Sequence, residues 1–185
     1  MLQKIVRLKE ESLEVSWPVI DNRVDTLPVA LEIDLSSQVL LVTRAGLPSL
    51  AYRISSALNG PNEKNGSGGT PRGRHRVRAR IGERMPAGTV FIGRRPTGEI
   101  WNPLLSRRYP GRDWILTRIL WLCGNEHGHN RGGEVDSMRR FIYIHGTPDS
   151  EPMGVPRSHG CIRMRNADVA QLFEWVGVGT PVLIR

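Results

Sequence analysis

Apolar residues in the first half of the chain recur in short runs and not at helical spacing. Alternation of apolar and polar side chains indicates a half-buried strand, because successive side chains of a strand point to opposite faces of a sheet. This pattern predicts strands over residues 13–20, 29–35, 38–43, 49–55, 75–82, 89–93 and 98–101. The pairs Ser36–Ser37 and Ala45–Gly46 fall between three of these runs, where hairpin turns are expected.

The second half contains two longer apolar segments. Residues 113–124 fit either a helix or a strand, and their β-branched and aromatic side chains favour a strand. Residues 140–146 predict a buried strand that ends at His145. The segments 59–73 and 125–134 are rich in glycine and asparagine, which indicates loops.

One helix is predicted, over residues 166–176. Its apolar positions follow the i, i+3, i+4, i+7 spacing of a helix with one buried face. They are Val169, Leu172, Phe173 and Val176. Asn166 is the expected N-cap, Gly177 ends the helix, and residues 180–184 form a closing strand. The pattern therefore predicts a mainly β fold with one late helix.

Composition fits one domain with a real hydrophobic core, since 39% of the 185 residues are apolar and 24% are charged. The net charge is +8 and is carried mostly by arginine, so anionic partners come into question. Alternation along 75–82 places four arginines on one strand face, here called the basic stripe. Its members are Arg74, Arg76, Arg78 and Arg80. His75 is expected on a solvated face beside them.

A basic nucleic-acid-binding β module is a distant alternative, using residues 72–80 and 94–95. Base stacking requires aromatic side chains among the basic ones, and 72–80 offers only His75. We therefore expect no nucleic-acid partner.

The N-terminal residues lack the uninterrupted apolar core of a signal peptide. Charged residues from Lys4 to Glu11 break every apolar run, and no stretch approaches the ~18 apolar residues of a membrane span. If Met1 is the true start, a cytoplasmic location is expected; the periplasm is the alternative if the start was trimmed. We expect residues 1–28 to be an N-terminal strand or extension that packs on a domain formed by 29–185.

The segment RSHGCIRM, residues 157–164, places Cys161 among polar neighbours, which is a poor setting for a core thiol. A nucleophilic thiol needs a base, and attack on an amide carbon needs donors for the oxyanion. His145 and His159 are candidate bases, and the backbone N–H groups of Gly160 and Cys161 are candidate donors. The residues alone do not decide which histidine is the base.

Two other roles for cysteine remain open. Cys123, inside ILWLCG, fits a small core residue. The candidate metal ligands are Cys161 with His145 and His159, or Cys123 with His127 and His129. Neither group has the paired spacing that zinc sites usually show, so no metal is expected and loop positions are preferred for the latter two histidines.

The segments IHGTP (144–148) and SHGCIRM (158–164) together resemble the signature of the L,D-transpeptidase catalytic domain, the YkuD type. GTPRGRHRV (69–77) and the closing helix, glycine and TPVLI extend the resemblance over roughly residues 29–185. The resemblance implies a β-sandwich-like fold with one prominent C-terminal helix after the catalytic cysteine. It implies no cofactor.

The resemblance also implies roles for individual residues. Cys161 is the expected nucleophile, His145 the general acid/base, and the Gly146 carbonyl the group that orients His145. His159 is expected to line the oxyanion side or to contact substrate. The expected substrate-binding residues are Ser158, Gly160, Arg163 and Tyr143. Arg163 is equally expected to form a structural salt bridge.

Family members take a peptidoglycan stem tetrapeptide, attack the carbonyl of its third residue and release D-Ala, leaving a thioester. Without an export signal, we expect water to resolve the thioester, which is L,D-carboxypeptidase chemistry in murein recycling. Formation of 3–3 cross-links by an L,D-transpeptidase is the alternative. The expected partner is a peptidoglycan-derived peptide substrate. We expect the protein to be a monomer and to bind no membrane. Loop 124–133 is either a lid over the cleft or a surface loop.

Overall fold

A computed structural model of the chain describes residues 7–8 and 28–185. The strand predicted over 13–20 lies outside the described residues, as does the N-terminal extension apart from residues 7–8 and 28. The strands are β1 (Arg7–Leu8), β2 (Val29–Asp34), β3 (Val39–Arg44), β4 (Leu50–Arg53), β5 (Gly73–Ile81), β6 (Thr89–Ile92), β7 (Arg95–Ile100), β8 (Ile115–Gly124), β9 (Tyr143–Thr147), β10 (Ile162–Arg165) and β11 (Pro181–Ile184). The helices are α1 (Pro103–Arg108) and α2 (Asn166–Trp175).

The strands join in one curled sheet with the order β1-β4-β3-β2-β11-β5-β8-β6-β7. Strand β9 pairs with β8 and carries β10 as its parallel neighbour, off the main path. Strands make up 41% of the structure and helices 12%, so the predicted mainly β class with a helix after Cys161 is confirmed. Every strand predicted within the described residues is present, with boundaries shifted by a few residues.

Helix α2 packs on the sheet with the predicted face. Val169, Leu172 and Phe173 are buried in the main core cluster. The predicted N-cap is wrong, because Arg165 occupies that position and Asn166 is the first helical residue. Asn166 instead donates to the Thr147 carbonyl oxygen at 2.9 Å and accepts from Thr117 Oγ1 at 2.5 Å. The Asn166 side chain therefore connects the start of α2 to β9 and β8 by hydrogen bonds.

Helix α1 was not predicted. It is six residues long, it has no buried residue, and so it has no apolar face to produce a helical pattern. Its local signals are polar: Asn102 Oδ1 accepts from the Leu105 N–H at 2.9 Å, and Pro103 occupies the first turn.

Strand β5 departs from regular alternation. From Val77 to Ala79 it advances by two residues while β8 advances by one, so Arg78 is the extra residue of a β-bulge. Beyond the bulge, the Arg80 guanidinium lies 4.1 Å from the centre of the Phe173 ring and donates to the Phe173 carbonyl oxygen at 2.8 Å. The predicted basic stripe is therefore wrong, because the bulge turns its last arginine toward α2.

His75 is buried, with 1% of its surface exposed, so its predicted solvated position is also wrong. Nδ1 lies 3.0 Å from the Gly73 carbonyl oxygen and Nε2 lies 2.9 Å from Ser137 Oγ. Burial lowers the pKa of His75. The prediction placed His75 with the arginines next to it in sequence, whereas in the structure it lies on the core-facing side of β5 with Val77.

The insertion at 124–133 is held against the start of β5 and the residue that precedes it. Asn130 is fully buried and donates to the carbonyl oxygens of Arg72 at 2.9 Å and Arg74 at 3.2 Å. The predicted loop assignment is confirmed.

Candidate active site

The pairing of β9 with β10 brings the predicted site residues together. Arg163 is the register partner of His145, so the two side chains lie on the same face of the sheet. Tyr143 lies two residues before His145 on β9 and shares its face of the sheet. Cys161 directly precedes β10, packs against the cluster of Phe91, Ile119 and Tyr143, and accepts a hydrogen bond from the Tyr143 backbone N–H at 3.4 Å.

His145 is held in one tautomer by its own strand. Only 1% of its surface is exposed, and Nδ1 lies 2.8 Å from the Gly146 carbonyl oxygen. Because a carbonyl only accepts, Nδ1 carries the proton and Nε2 carries the lone pair. Burial lowers the pKa of His145, so the ring is neutral at pH 7.

Gly146 is required at this position for reasons of space. A Cβ atom there would lie 2.5 Å from Asn166 Oδ1 and 2.8 Å from the Leu116 carbonyl oxygen. Strand β9, β8 and α2 therefore converge on the residue that orients His145.

Cys161 is partly buried and has two hydrogen-bond contacts through sulfur. It accepts from the Tyr143 N–H, and its thiol donates to the Phe141 carbonyl oxygen at 3.4 Å. Burial raises the pKa of Cys161 to about 12, although the Tyr143 N–H acts in the opposite direction. At neutral pH Cys161 therefore rests as a neutral thiol and His145 as a neutral imidazole, and the two do not form an ion pair.

The turn beneath the thiol is fixed by its own polar groups. Ser158 is buried; its Oγ donates to the Cys161 carbonyl oxygen at 2.5 Å and accepts from the Gly160 N–H at 3.2 Å. Thr70 Oγ1 donates to the Gly160 carbonyl oxygen at 3.0 Å. Gly160 has φ +133°, which disfavours any side chain. Ser158 and Gly160 therefore fix the conformation of the turn that carries Cys161.

Asp113 connects two of the predicted residues and was missed by sequence reasoning. Its Oδ1 accepts from Arg163 at 2.7 Å, and its Oδ2 lies 3.2 Å from His159 Nδ1. Burial acts against ionisation of Asp113, yet the charge of Arg163 holds its pKa below the usual value. The only signal in the sequence was one carboxylate at the start of an apolar strand.

Arg163 has the structural role that was one of its two predicted functions. Its side chain is 8% exposed and forms ion pairs with Asp113 and, at 3.6 Å, with Glu151. His159 is the opposite case, since 78% of its side chain is exposed to solvent. Tyr143 is buried, and it presents its backbone N–H, not its phenol, to the thiol.

A cavity of about 250 Å³ lies beside Arg163 and His159. Its walls come from α1 and the loop that follows it, and from the segment between β9 and the cysteine turn. Lining residues include Tyr109, Asp113, Thr147, Arg157, His159 and Arg163. The insertion at 124–133 contributes none of the lining, so it is not the wall of this cavity.

The described part of the chain contains neither a candidate metal site nor a disulfide bond. Within residues 7–8 and 28–185, no three His, Cys, Asp or Glu side chains are grouped to hold a metal ion. Cys123 is buried and Cys161 partly buried, and both are free thiols. His127 and His129 lie exposed in the insertion loop, as predicted.

None of the helices formed by the described residues has the length and apolar character needed to span a bilayer.

Comparison with known proteins extends the resemblance found in the motifs. The family model described as "L,D-transpeptidase catalytic domain", YkuD, matches residues 28–184. "Probable L,D-transpeptidase ErfK/SrfK" of Salmonella typhimurium is 31% identical over 114 residues, which covers 55% of this chain and 37% of that protein. "Probable L,D-transpeptidase YbiS" of Escherichia coli K12 is 51% identical over 43 residues, 23% of this chain and 14% of that protein. These matches span well under half the length of either relative.

Solved structures show the same fold at low identity. An L,D-transpeptidase from Mycobacterium smegmatis superposes with a TM-score of 0.52 at 21% identity, covering 86% of this chain and 59% of that chain. L,D-transpeptidase 3 from Mycobacterium tuberculosis, in complex with a faropenem-derived adduct, gives a TM-score of 0.51 at 16% identity, with coverages of 86% and 60%. The fold, the paired motifs and the family match over 28–184 lead to one conclusion: this chain belongs to the YkuD family of L,D-transpeptidase catalytic domains.

Proposed function

We propose that this chain is a cysteine-dependent acyltransferase that acts on peptidoglycan stem tetrapeptides. One observation carries the proposal: Cys161 contacts β9 at Tyr143, two residues before a buried histidine whose Nδ1 proton is fixed by Gly146. That tautomer leaves Nε2 as a base, which is the group that a protonated thiol requires before it can attack a carbonyl.

In the first half-reaction, the thiol of Cys161 turns from the Phe141 carbonyl to Nε2 of His145 as substrate binds. Sulfur attacks the carbonyl carbon of the third stem residue while its proton passes to Nε2. The tetrahedral intermediate then collapses, the C–N bond breaks, and the imidazolium returns the proton to the amine of the leaving D-Ala. A thioester on Cys161 remains, and His145 is neutral again.

The oxyanion of each tetrahedral intermediate needs donors fixed in advance. The Gly160 N–H already donates to Ser158 Oγ, which leaves the Cys161 N–H as the donor from the predicted pair. His159 lies at the edge of the cavity with most of its side chain exposed, a position suited to contact with bound peptide.

In the second half-reaction, His145 takes a proton from the acceptor as the acceptor attacks the thioester carbonyl. The C–S bond then breaks, and the imidazolium returns the proton to the sulfur of Cys161. Water as acceptor gives the tripeptide, and an amine of a second stem gives a 3–3 cross-link. The relatives named L,D-transpeptidase favour the amine. Hydrolysis in the cytoplasm, absence of nucleic-acid and membrane binding, and a monomeric state remain predictions from the sequence.

Product analysis tests the proposal and separates the two acceptors. Purified protein is incubated with a muropeptide tetrapeptide, and the products are identified by mass spectrometry. Tripeptide alone indicates hydrolysis, whereas a dimer or an exchanged D-amino acid indicates transfer.

The chain supplies its own control, because it has two free cysteines. Cys161→Ala should abolish every product, whereas Cys123→Ala should retain them. If the wild-type protein yields none of these products, or if Cys161→Ala yields them unchanged, the proposed function is wrong.

A further inference from the structure

Both hydrogen-bond contacts of the Cys161 sulfur come from the backbone of one short segment, residues 141–143. The Phe141 carbonyl accepts the thiol proton, and the Tyr143 N–H donates to sulfur. The position of this segment therefore determines how the thiol is held and how a thiolate would be stabilised.

Arg94 holds this segment through both of its aromatic side chains. Its Nη1 donates to the Tyr143 hydroxyl oxygen at 2.9 Å. Its guanidinium carbon lies 4.8 Å from the centre of the Phe141 ring and 4.4 Å from that of Trp121. Trp121 is itself packed edge-on against Tyr143, with 6.3 Å between ring centres. One cation thus braces both residues that contact the sulfur.

Two backbone conformations indicate that this arrangement is maintained against strain. Arg94 has φ +68° and follows Gly93 with φ +53°, in the two-residue turn between β6 and β7. Phe141 has φ +57°, which is a genuine outlier for a bulky side chain. Such strain persists only where the surroundings enforce it, and it is concentrated at functional sites.

We propose that Arg94 is a positioning residue for the nucleophile. It fixes residues 141–143 so that the Phe141 carbonyl holds the resting thiol and the Tyr143 N–H stabilises sulfur as negative charge develops. This inference rests on the proposed role of Cys161 and extends it to a residue on a distant hairpin. Other charges that act on the thiol belong to Asp113, Arg163 and Arg140, and no contact joins Arg94 to these residues in the described part of the chain.

The test compares Arg94→Ala with Arg84→Ala. Arg84 is a matched control because it also has a positive φ, +61°, is exposed, and makes no side-chain contact among the described residues. Iodoacetamide alkylation of Cys161 is followed against pH in a Cys123→Ala background. At every pH well below the pKa of Cys161, the alkylation rate is proportional to the fraction of thiolate, so rates compared at equal pH report thiolate stability.

For Arg94→Ala we expect an alkylation rate about ten-fold lower than that of the parent protein at equal pH, which corresponds to about ten-fold less thiolate. With tetrapeptide, kcat should fall about ten-fold while KM is retained, because a positioning role acts on sulfur and not on binding. Arg84→Ala should match the parent protein in both measurements.

An unchanged alkylation rate in a folded Arg94→Ala protein overturns the inference. If that variant does not fold, Tyr143→Phe decides, since it removes only the hydroxyl that Arg94 contacts: a lowered rate at equal pH supports the inference and a parental rate overturns it. Alkylation needs no substrate, so an absence of tetrapeptide products would refute the proposed function without affecting this test.

Discussion

At the scale of single residues, the site rests in a neutral state. Burial raises the pKa of Cys161 and lowers that of His145, so each group is uncharged near pH 7. A thiolate–imidazolium pair would require the opposite shifts. The proton transfer from sulfur to His145 therefore belongs to the attack step and does not precede substrate binding.

The pH dependence of alkylation checks this neutral pair. Because the thiol titrates above the usual value for cysteine of about 8.5, its alkylation rate should still be rising with pH beyond that point. A midpoint below neutrality, measured with iodoacetamide in a Cys123→Ala background, would show a preformed ion pair and contradict the account.

Gly146 offers a second prediction at this scale. Gly146→Ala places a methyl group within 3 Å of Asn166 Oδ1 and the Leu116 carbonyl oxygen, so it should lower the free energy of unfolding by about 1–3 kcal/mol. Gly177→Ala is the control, since nothing lies within 4 Å of a Cβ there and its φ is not positive. Urea unfolding measures both; equal stability of the two variants would contradict the crowding argument.

At the scale of elements, the site depends on contacts between segments far apart in sequence. The loop after α1 supplies Asp113, β10 supplies Arg163, and the segment after β9 supplies Glu151. Their ion pairs link one wall of the cavity to the strand that follows the cysteine turn. Breaking such a link leaves a buried charge without its closest partner.

Asp113→Asn should therefore destabilise the protein. Arg163 keeps Glu151 at 3.6 Å, and Asp113 is 41% exposed, so the loss should be smaller than for a fully buried pair, about 1–2 kcal/mol. Glu99→Gln should cost less, because it removes the partner of Arg112, whose side chain is 21% exposed, against 8% for Arg163. Chemical denaturation at pH 7 checks this, and equal effects of the two substitutions would contradict it.

Two buried histidines predict loss of stability in acid. The folded-state pKa values of His75 and His145 lie below the usual value of about 6.5, so the unfolded chain binds protons first as pH falls. Their contribution to stability is complete above about pH 6.5 and declines below it. Melting temperature followed from pH 7.5 to 5 should fall over the lower part of that range. For His75→Gln the fall should be shallower, and an identical slope would contradict this assignment.

At the scale of the whole molecule, the sequence predicted what depends on local pattern. Strand alternation and the buried face of α2 appear in the structure because each is set by side chains close along the chain. The motifs around His145 and Cys161 likewise located both residues before any geometry was known. The family match over residues 28–184 supports that reading of the whole domain.

What the sequence did not predict depends on pairing between distant segments. The bulge at Arg78 and the burial of His75 follow from the register of β5 against β8, which no local window contains. Asp113 acquires its partners only when β8 and β10 are placed in one sheet. Arg94 reaches the segment beside the nucleophile from a hairpin whose sequence has no catalytic pattern.

The central claim is that Cys161 carries the acyl group, and intact-mass analysis tests it most directly. Wild-type protein is mixed with tetrapeptide and quenched in acid. Its mass should increase by that of the tripeptide acyl group, and proteolysis should map this group to Cys161. Free D-Ala should appear at the same time. Cys123→Ala should behave in the same way, and His145→Ala should form the adduct far more slowly. Release of D-Ala by a Cys161→Ala protein at the wild-type rate would contradict the account.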